Sequence, residues 1–326
     1  MNALVTGGAG FIGSHLVDSL LSKGDSVVVL DNLSAGKHDN LAHLKNHPHL
    51  FVQKGAADNE QTLAPLIEKA EIVFHLAAIL GVPRVCLEPA RTLETNFLAT
   101  RAVVRLCREH RVKMVLASTS EAYGKTTVKP VNESDDAVFG PSSVPRWAYA
   151  LSKLADEYLV QDLMKEVPAV IIRFFNIYGP RQDPLGSASV IPRLTRQALT
   201  SVPLTIFSDG RQTRSFTYVS DAVAGILAAA AKADRGVFNI GRPKETTINA
   251  LAEMIIGFSG SRSLITYIEP PPEWGRFEEQ RERLPDITRA RDQLGFQPTM
   301  TLHEGLIRTI EWMKRDVLHL EERKAG

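Results

Sequence analysis

Tyr149 and Lys153 stand four residues apart in Ala148–Met164, where apolar residues recur at helical spacing, so phenol and ammonium share one helix face. A free tyrosine ionises near pH 10 and is a poor base at neutrality. Bringing that down by about three pH units takes about 4 kcal/mol of differential stabilisation. A neighbouring ammonium and a positively charged ring can supply it between them, and the phenolate can then take a proton from an alcohol as hydride departs. Thr119-Ser120-Glu121 directly follow a short Val/Leu-rich run. The Thr119 hydroxyl can share the alcohol's proton and polarise the ketone that forms, while Glu121 can manage a proton at the neighbouring carbon. The alternative is that Ser120 and Glu121 cap the next helix or turn.

Thr6-Gly7-Gly8-Ala9-Gly10-Phe11-Ile12-Gly13 follow a strand-like run and open a helix-like one. Glycines at Gly7, Gly10 and Gly13 allow a tight turn and close approach of backbone to a pyrophosphate, which then sits at a positive helix N-terminus. Asp31 ends the second strand-like run. A carboxylate there accepts from both hydroxyls of an adenosine ribose and repels a 2′-phosphate, favouring NAD over NADP. Lys37, a few residues on, is placed to soften that preference.

These groups need a scaffold. Short runs rich in Val, Ile and Leu occur at Ala3–Val5, Ser26–Leu30, Leu50–Val52, Ile72–Ala78, Lys113–Ala117 and Ala169–Phe175, which suits strands buried on both faces of a parallel sheet. Helical patterns lie between them, at His15–Ser22, Leu93–Arg108 and Ala148–Met164. The alternation predicts an α/β fold, a doubly wound parallel sheet with helices on both faces. After Phe175 the rhythm breaks: Asn176–Gly186 is turn-rich, Ser189–Leu199 and Asp221–Ala231 read as helices, and Gly236–Ile240 as a strand. Glu269–Arg283 is loop-like, and Thr301–Lys314 reads as an amphipathic helix. The expected organisation is a dinucleotide-binding domain over 1–175, with 213–240 contributing. A smaller, partly interleaved C-terminal substrate region spans 176–326.

Apolar residues make up 44% of the 326 residues, charged residues 23%, and net charge is +1. That balance gives no basic surface for nucleic acid or an anionic membrane. Any anionic ligand must be held by a few placed donors. Cys86 and Cys107 lie in apolar stretches without metal-ligand spacing, so buried thiols in a reducing compartment are expected, with no metal site. Met1-Asn2 lead straight into the first strand and no apolar run is long enough to span a bilayer, so the expected location is cytoplasmic.

Taken together, Gly7–Gly13, Asp31, Phe74-His75-Leu76-Ala77-Ala78, Thr119, Tyr149-x-x-x-Lys153 and Arg173-Phe174-Phe175-Asn176-Ile177-Tyr178-Gly179-Pro180-Arg181 resemble the extended short-chain dehydrogenase/reductase family over nearly the whole chain. The resemblance implies a Rossmann-type sheet and a tightly held NAD. It also implies oxidation at C4 of a nucleotide-linked, UDP-type sugar, and a homodimer formed through a four-helix interface. It makes Thr119, Tyr149 and Lys153 the catalytic set and puts Phe11, Ile12, Asn32, Ala77 and Asn96 at the cofactor, with Ser120 and Arg181 at the substrate. Asn176 then contacts the nucleotide diphosphate, and Arg214 and Arg283 clamp it. Ala56 is a departure, since members of that family commonly carry an Asp after the equivalent of Gly55; Asp58 lies nearby. His75 and Trp147 are expected to pack and position.

Ser120 occupies the place where the family's dehydratases carry an acid for the departing C6 hydroxyl, which disfavours dehydration. Thr119-Ser120-Glu121 and Pro145-Arg146-Trp147 resemble the family's UDP-glucuronate decarboxylases, and decarboxylation is the leading expectation. C4 epimerisation, which needs only Thr119, Tyr149, Lys153 and room for the keto sugar to turn, stands beside it.

Overall fold

Alternating side chains divide the central strands between two cores. The computed structural model describes residues 1–184, 189–278 and 280–318. The strands are β1 (Asn2–Thr6), β2 (Ser26–Asp31), β3 (Leu50–Lys54), β4 (Ile72–His75), β5 (Lys113–Thr119), β6 (Ala169–Phe174) and β7 (Arg235–Ile240). They form one parallel sheet in the order β3-β2-β1-β4-β5-β6-β7, with Leu4 opposite Val28 on one side and Val73 on the other. Val5, Phe74, Val115 and Val170 point into one core; Leu4, Val73, Met114 and Ile171, each one residue away, point into the other. Because both faces are covered there, the inner strands are largely apolar rather than alternating, whereas the edge strand β3 exposes Phe51 and Val52.

Helices supply the covering layers: α1 (Phe11–Ser22), α2 (Glu60–Ile67), α3 (Val82–Leu87), α4 (Pro89–His110), α5 (Trp147–Leu163), α6 (Val190–Leu199), α7 (Val219–Lys232), α8 (Ile248–Ser259), α9 (Thr288–Leu294) and α10 (Leu302–Met313). The first core takes Leu16 and Leu20 of α1 and Ile226 of α7; the second takes Leu63 of α2, Val103 of α4 and Val160 of α5. Each such buried Leu, Ile or Val contributes about 1.5–3 kcal/mol of transfer free energy. Leu194, Leu251, Ile255 and Leu306 of α6, α8 and α10 also belong to the first core, so the C-terminal elements are built onto the sheet's own packing.

After β3 the chain crosses over to β4 on the far side of β1. The connections leaving β1 and β4 therefore diverge, and a crevice opens at the carboxyl ends of the strands. Gly7, Asp31, Thr119 and Asn176 each follow or end a strand at that edge.

The structure departs from the sequence pattern in places. The run Ile72–Ala78 is strand only to His75. Beyond it β1 has already turned away at Gly7, whose φ is +72°, while β5 runs on to Thr119 paired with β6. Asn59 caps α2 by accepting from Thr62 N (3.2 Å), and Thr247 caps α8 by accepting from Ala250 N (3.1 Å). Both helices went unassigned in the sequence, as did the short α3 and α9. The Asn176–Gly186 and Ser189–Leu199 patterns are described except at residues 185–188, which lie outside the described residues.

Candidate active site

A cleft of about 780 Å³ runs along the carboxyl edge of the sheet and is lined from Gly7 and Asp31 at one end to Phe207, Trp274 and Arg283 at the other. At the first end, an ideal Cβ on Gly7 would lie 2.8 Å from Ala77 N, and one on Gly13 would run into the Gly7 carbonyl. Both positions therefore exclude a side chain. Gly10 is the N-cap of α1, which has neither a capping side chain nor an acid in its first turn. The N–H groups of Phe11, Ile12 and Gly13 are thus left to the cleft, which these residues line. That is a built anion site at the positive end of a helix. Asp31 is buried; its carboxylate accepts from Ala9 N (3.0 Å) and Leu33 N (2.8 Å) and still borders the cleft. A carboxylate has lone pairs to spare for ribose hydroxyls after two such bonds. Asn32 lines the cleft and accepts from Ser34 N (2.9 Å). Lys37 also lines the cleft, and its ammonium pairs with Asp183 at 3.3 Å. Ala56 and Asp58 both border the cleft. These residues fit NAD.

At the centre, Thr119 closes β5 and its hydroxyl accepts from Glu121 N (3.2 Å), so the sequence Thr119-Ser120-Glu121 turns sharply into the cleft. The cap expected of Ser120 or Glu121 is provided by Thr119. Tyr149 comes from the first turn of α5 and lines the same wall. Burial is the main cause that pushes the phenol up from its ordinary range, with the carboxylates of Glu121 and Asp156 adding to it and a hydrogen bond with Thr119 pulling it down. Lys153 lies one helical turn on, as expected, but is only 2% exposed and is not among the cleft-lining residues. Its ammonium pairs with Asp156 at 3.0 Å. The lowering of the phenol expected from Lys153 is thus offset by a carboxylate that the sequence pattern did not bring forward.

Asn96 borders the cleft with its amide fully engaged: Oδ1 accepts from Ile79 N (2.7 Å) while Nδ2 donates to Ile79 O (3.0 Å) and Ser152 Oγ (3.0 Å). It pins the loop carrying Ala77, which has no strand partner of its own. His75 is buried, bonded at Nδ1 to Thr6 Oγ1 (2.7 Å) and at Nε2 to Thr100 Oγ1 (3.1 Å), in keeping with a positioning role.

The residues expected at the substrate also meet the cleft. Ser120 is buried, and Arg283 donates to its Oγ at 3.4 Å and to Gly124 O at 3.3 Å. That places Arg283 beside the turn that carries Thr119 and Glu121. Asn176 donates to Ser215 O (3.0 Å), and Arg214 donates to Thr213 O (2.8 Å). Arg181 borders the cleft but turns its guanidinium to Asp18 of α1 at 2.7 Å. Arg146 was noted in the sequence only within Pro145-Arg146-Trp147 and was given no role of its own. It is buried, stacks over Trp147 and Phe277 (5.3 and 4.9 Å to the ring centroids), and lies 3.7 Å from Glu121 Oε1. Its place next to Trp147, three residues before Tyr149, was the available signal.

Comparison with known proteins places the chain. Over 95% of its length it is 38% identical to UDP-N-acetyl-alpha-D-glucosaminuronate decarboxylase of Bacillus cytotoxicus, covering 97% of that protein. It superposes on UDP-glucose 4-epimerase of Thermotoga maritima, solved with UDP-glucose, with a TM-score of 0.88 and 34% identity, covering 97% and 99% of the two chains. On MoeE5, solved with UDP-glucuronic acid and NAD, the TM-score is 0.84 and identity 32%, covering 97% and 100%. Residues 3–241 match the model of the NAD dependent epimerase/dehydratase family. The chain belongs to that family, and NAD is its cofactor.

Proposed function

We propose that the protein is a nucleotide-sugar decarboxylase that oxidises C4 of a UDP-linked uronic acid and releases its C6 carboxylate as CO2. The observation that carries this reading is the buried Arg283 guanidinium on Ser120 Oγ, beside Thr119 and Glu121. A guanidinium there suits a carboxylate on the sugar. A second buried guanidinium, Arg146, stands on the other side of Glu121.

Bound NAD supplies the hydride acceptor at C4 and the hydride for the final reduction, so the redox change cancels over the cycle. The chain's residues do the proton work. Tyr149 takes the C4 hydroxyl proton, with the Thr119 hydroxyl bridging to the same oxygen. The ketone at C4 makes the C5 carboxylate a β-keto acid, and the C5–C6 bond breaks with its electron pair flowing into the C4 enolate. Thr119 and Tyr149 hold that enolate oxygen by hydrogen bonds that strengthen as charge develops. Glu121, or a water it orients, delivers a proton to C5.

Incubation with UDP-glucuronate, UDP-N-acetylglucosaminuronate and UDP-glucose, followed by mass spectrometry, tests the proposal. Loss of CO2 from the acids supports it; an isomer of unchanged mass refutes it in favour of C4 epimerisation. That second reading draws on the fold's likeness to the Thermotoga maritima epimerase. The residue roles belong to the proposal: Gly7, Gly10, Phe11, Ile12, Gly13, Asp31 and Asn32 at the dinucleotide, Asn176 and Arg214 at the diphosphate, and Ser120 and Arg283 at the sugar carboxylate. So does the division into a cofactor-binding part (1–175 with 213–240) and a substrate-binding part (176–326).

A homodimer through α4 and α5 is proposed as well, supported by exposed Leu93, Leu151 and Tyr158 on those helices. A cytoplasmic location accords with the buried free thiols Cys86 and Cys107. Among the described residues no helix is long and apolar enough to cross a membrane.

A further inference from the structure

We propose that Asp156 is a positioning residue of the acid–base pair: through its buried ion pair with Lys153 it fixes the ammonium in place and sets the pH at which Tyr149 accepts a proton. This rests on Tyr149 being the base.

Lys153 and Asp156 lie on one face of α5, 2% and 0% exposed, with Nζ 3.0 Å from Oδ2. Asp156 Oδ1 has no hydrogen-bond partner among the described residues. A carboxylate that is unexposed and half-satisfied is costly unless its charge is used. The other charged and titratable groups packed around it are already committed. On α5 itself, Glu157 accepts from Arg173 Nε (3.0 and 3.2 Å) and Nη2 (2.7 Å) of β6 and from Ser118 of β5. From β4, His75 is held neutral by burial and by Lys153, its pKa lowered to about 3. From α4, Thr100 bonds His75 and lies within hydrogen-bonding reach of Asp156. From the turn after β5, Glu121 faces Arg146. Asp156 is therefore the group that answers the Lys153 charge inside the protein.

Two consequences follow. The carboxylate holds the buried ammonium of Lys153 in one place, one helical turn from Tyr149. The same carboxylate offsets the ammonium's field at Tyr149 and helps hold the phenol protonated.

The test uses the NAD-loaded enzyme and five proteins: wild type, Tyr149→Phe, Asp156→Asn, Asp156→Ser and Asp156→Glu. The first readout is the ultraviolet absorbance of phenolate against pH, taken as the difference from Tyr149→Phe, which reports Tyr149 without turnover. The second is the pH profile of kcat/KM on UDP-glucuronate. Removing the charge should move both the phenolate transition and the acid limb of the profile to lower pH by about one unit, and Asp156→Glu should restore them. Asn and Ser variants are both made so that one folded charge-free protein suffices. An unchanged or upward-moved transition in a folded Asn or Ser variant overturns the proposal for Asp156. Retained turnover in Tyr149→Phe overturns instead the assignment of the base, so the two failures are told apart.

Discussion

Replacing Gly7 by alanine probes the dinucleotide turn most sharply, and the structure supplies its own control. Gly7 has φ +72°, and its added Cβ would sit 2.8 Å from Ala77 N and 2.9 Å from Leu76 C. The left-handed backbone costs an L-residue about 1–2 kcal/mol. Overlap with backbone that cannot rotate away costs about 1–3 kcal/mol more. Gly24 has φ +82° with nothing within 4 Å of its added Cβ, so alanine there carries the backbone strain alone. Equilibrium urea unfolding of the NAD-free proteins should therefore show Gly7→Ala less stable than wild type by about 2–5 kcal/mol and Gly24→Ala by about 1–2 kcal/mol. The two variants should also part in cofactor binding. At about 100 times its Kd, NAD adds about 2.7 kcal/mol to a protein that binds it only when folded. Gly24→Ala should keep that increment and Gly7→Ala should lose most of it, by calorimetric titration and by unfolding with and without NAD. Equal destabilisation of the two variants, or full NAD affinity in Gly7→Ala, would refute the reasoning about the turn.

Glu121→Gln should cut decarboxylation at least tenfold while the transient reduction of bound NAD on mixing with substrate persists, because C4 oxidation does not need this carboxylate; loss of both in rapid-mixing absorbance would argue against its role at C5. Arg283→Met should raise KM for UDP-glucuronate by about 10–100-fold, the value of a charge-assisted contact, with a smaller effect on UDP binding measured by competition; an equal loss for both places Arg283 at the diphosphate. His75 has a folded pKa of about 3 against 6.5 for the free side chain, so the unfolded chain binds a proton that the folded one does not, and its contribution to stability is present above pH 6.5 and is lost as pH falls from 6.5 toward 3. His75→Asn should therefore flatten part of the decline in urea-unfolding free energy across that window, whatever its effect on stability at pH 7.

The nucleotide end of the site was legible because its residues are demanded by backbone geometry. A turn that excludes Cβ at Gly7 and Gly13 leaves a glycine spacing in the chain, and a strand buried on both faces leaves a Val-rich run such as Val27–Leu30. Tyr149 and Lys153 were legible from helical spacing. What escaped notice depends on tertiary contacts. Asp156 is an ordinary residue of α5 until packing against α4 buries it beside Lys153. Arg146 gains its role from Phe277 and Glu278, more than a hundred residues away. The contact of Arg283 with Ser120 could not be read either, since nothing in the sequence places the two side by side. Among the helices, α2 and α8 were missed although Asn59 and Thr247 cap them; α2 has only eight residues and carries Pro65 within it.

The central claim is that C4 is oxidised and re-reduced by the same hydrogen while C5 loses its carboxylate. It is tested most directly with UDP-glucuronate carrying deuterium at C4, turned over in ordinary water and followed by proton NMR. The account predicts a pentose product that keeps deuterium at C4 and gains one solvent hydrogen at C5. Loss of the C4 label to water, or a hexuronate that retains its carboxylate, would contradict it.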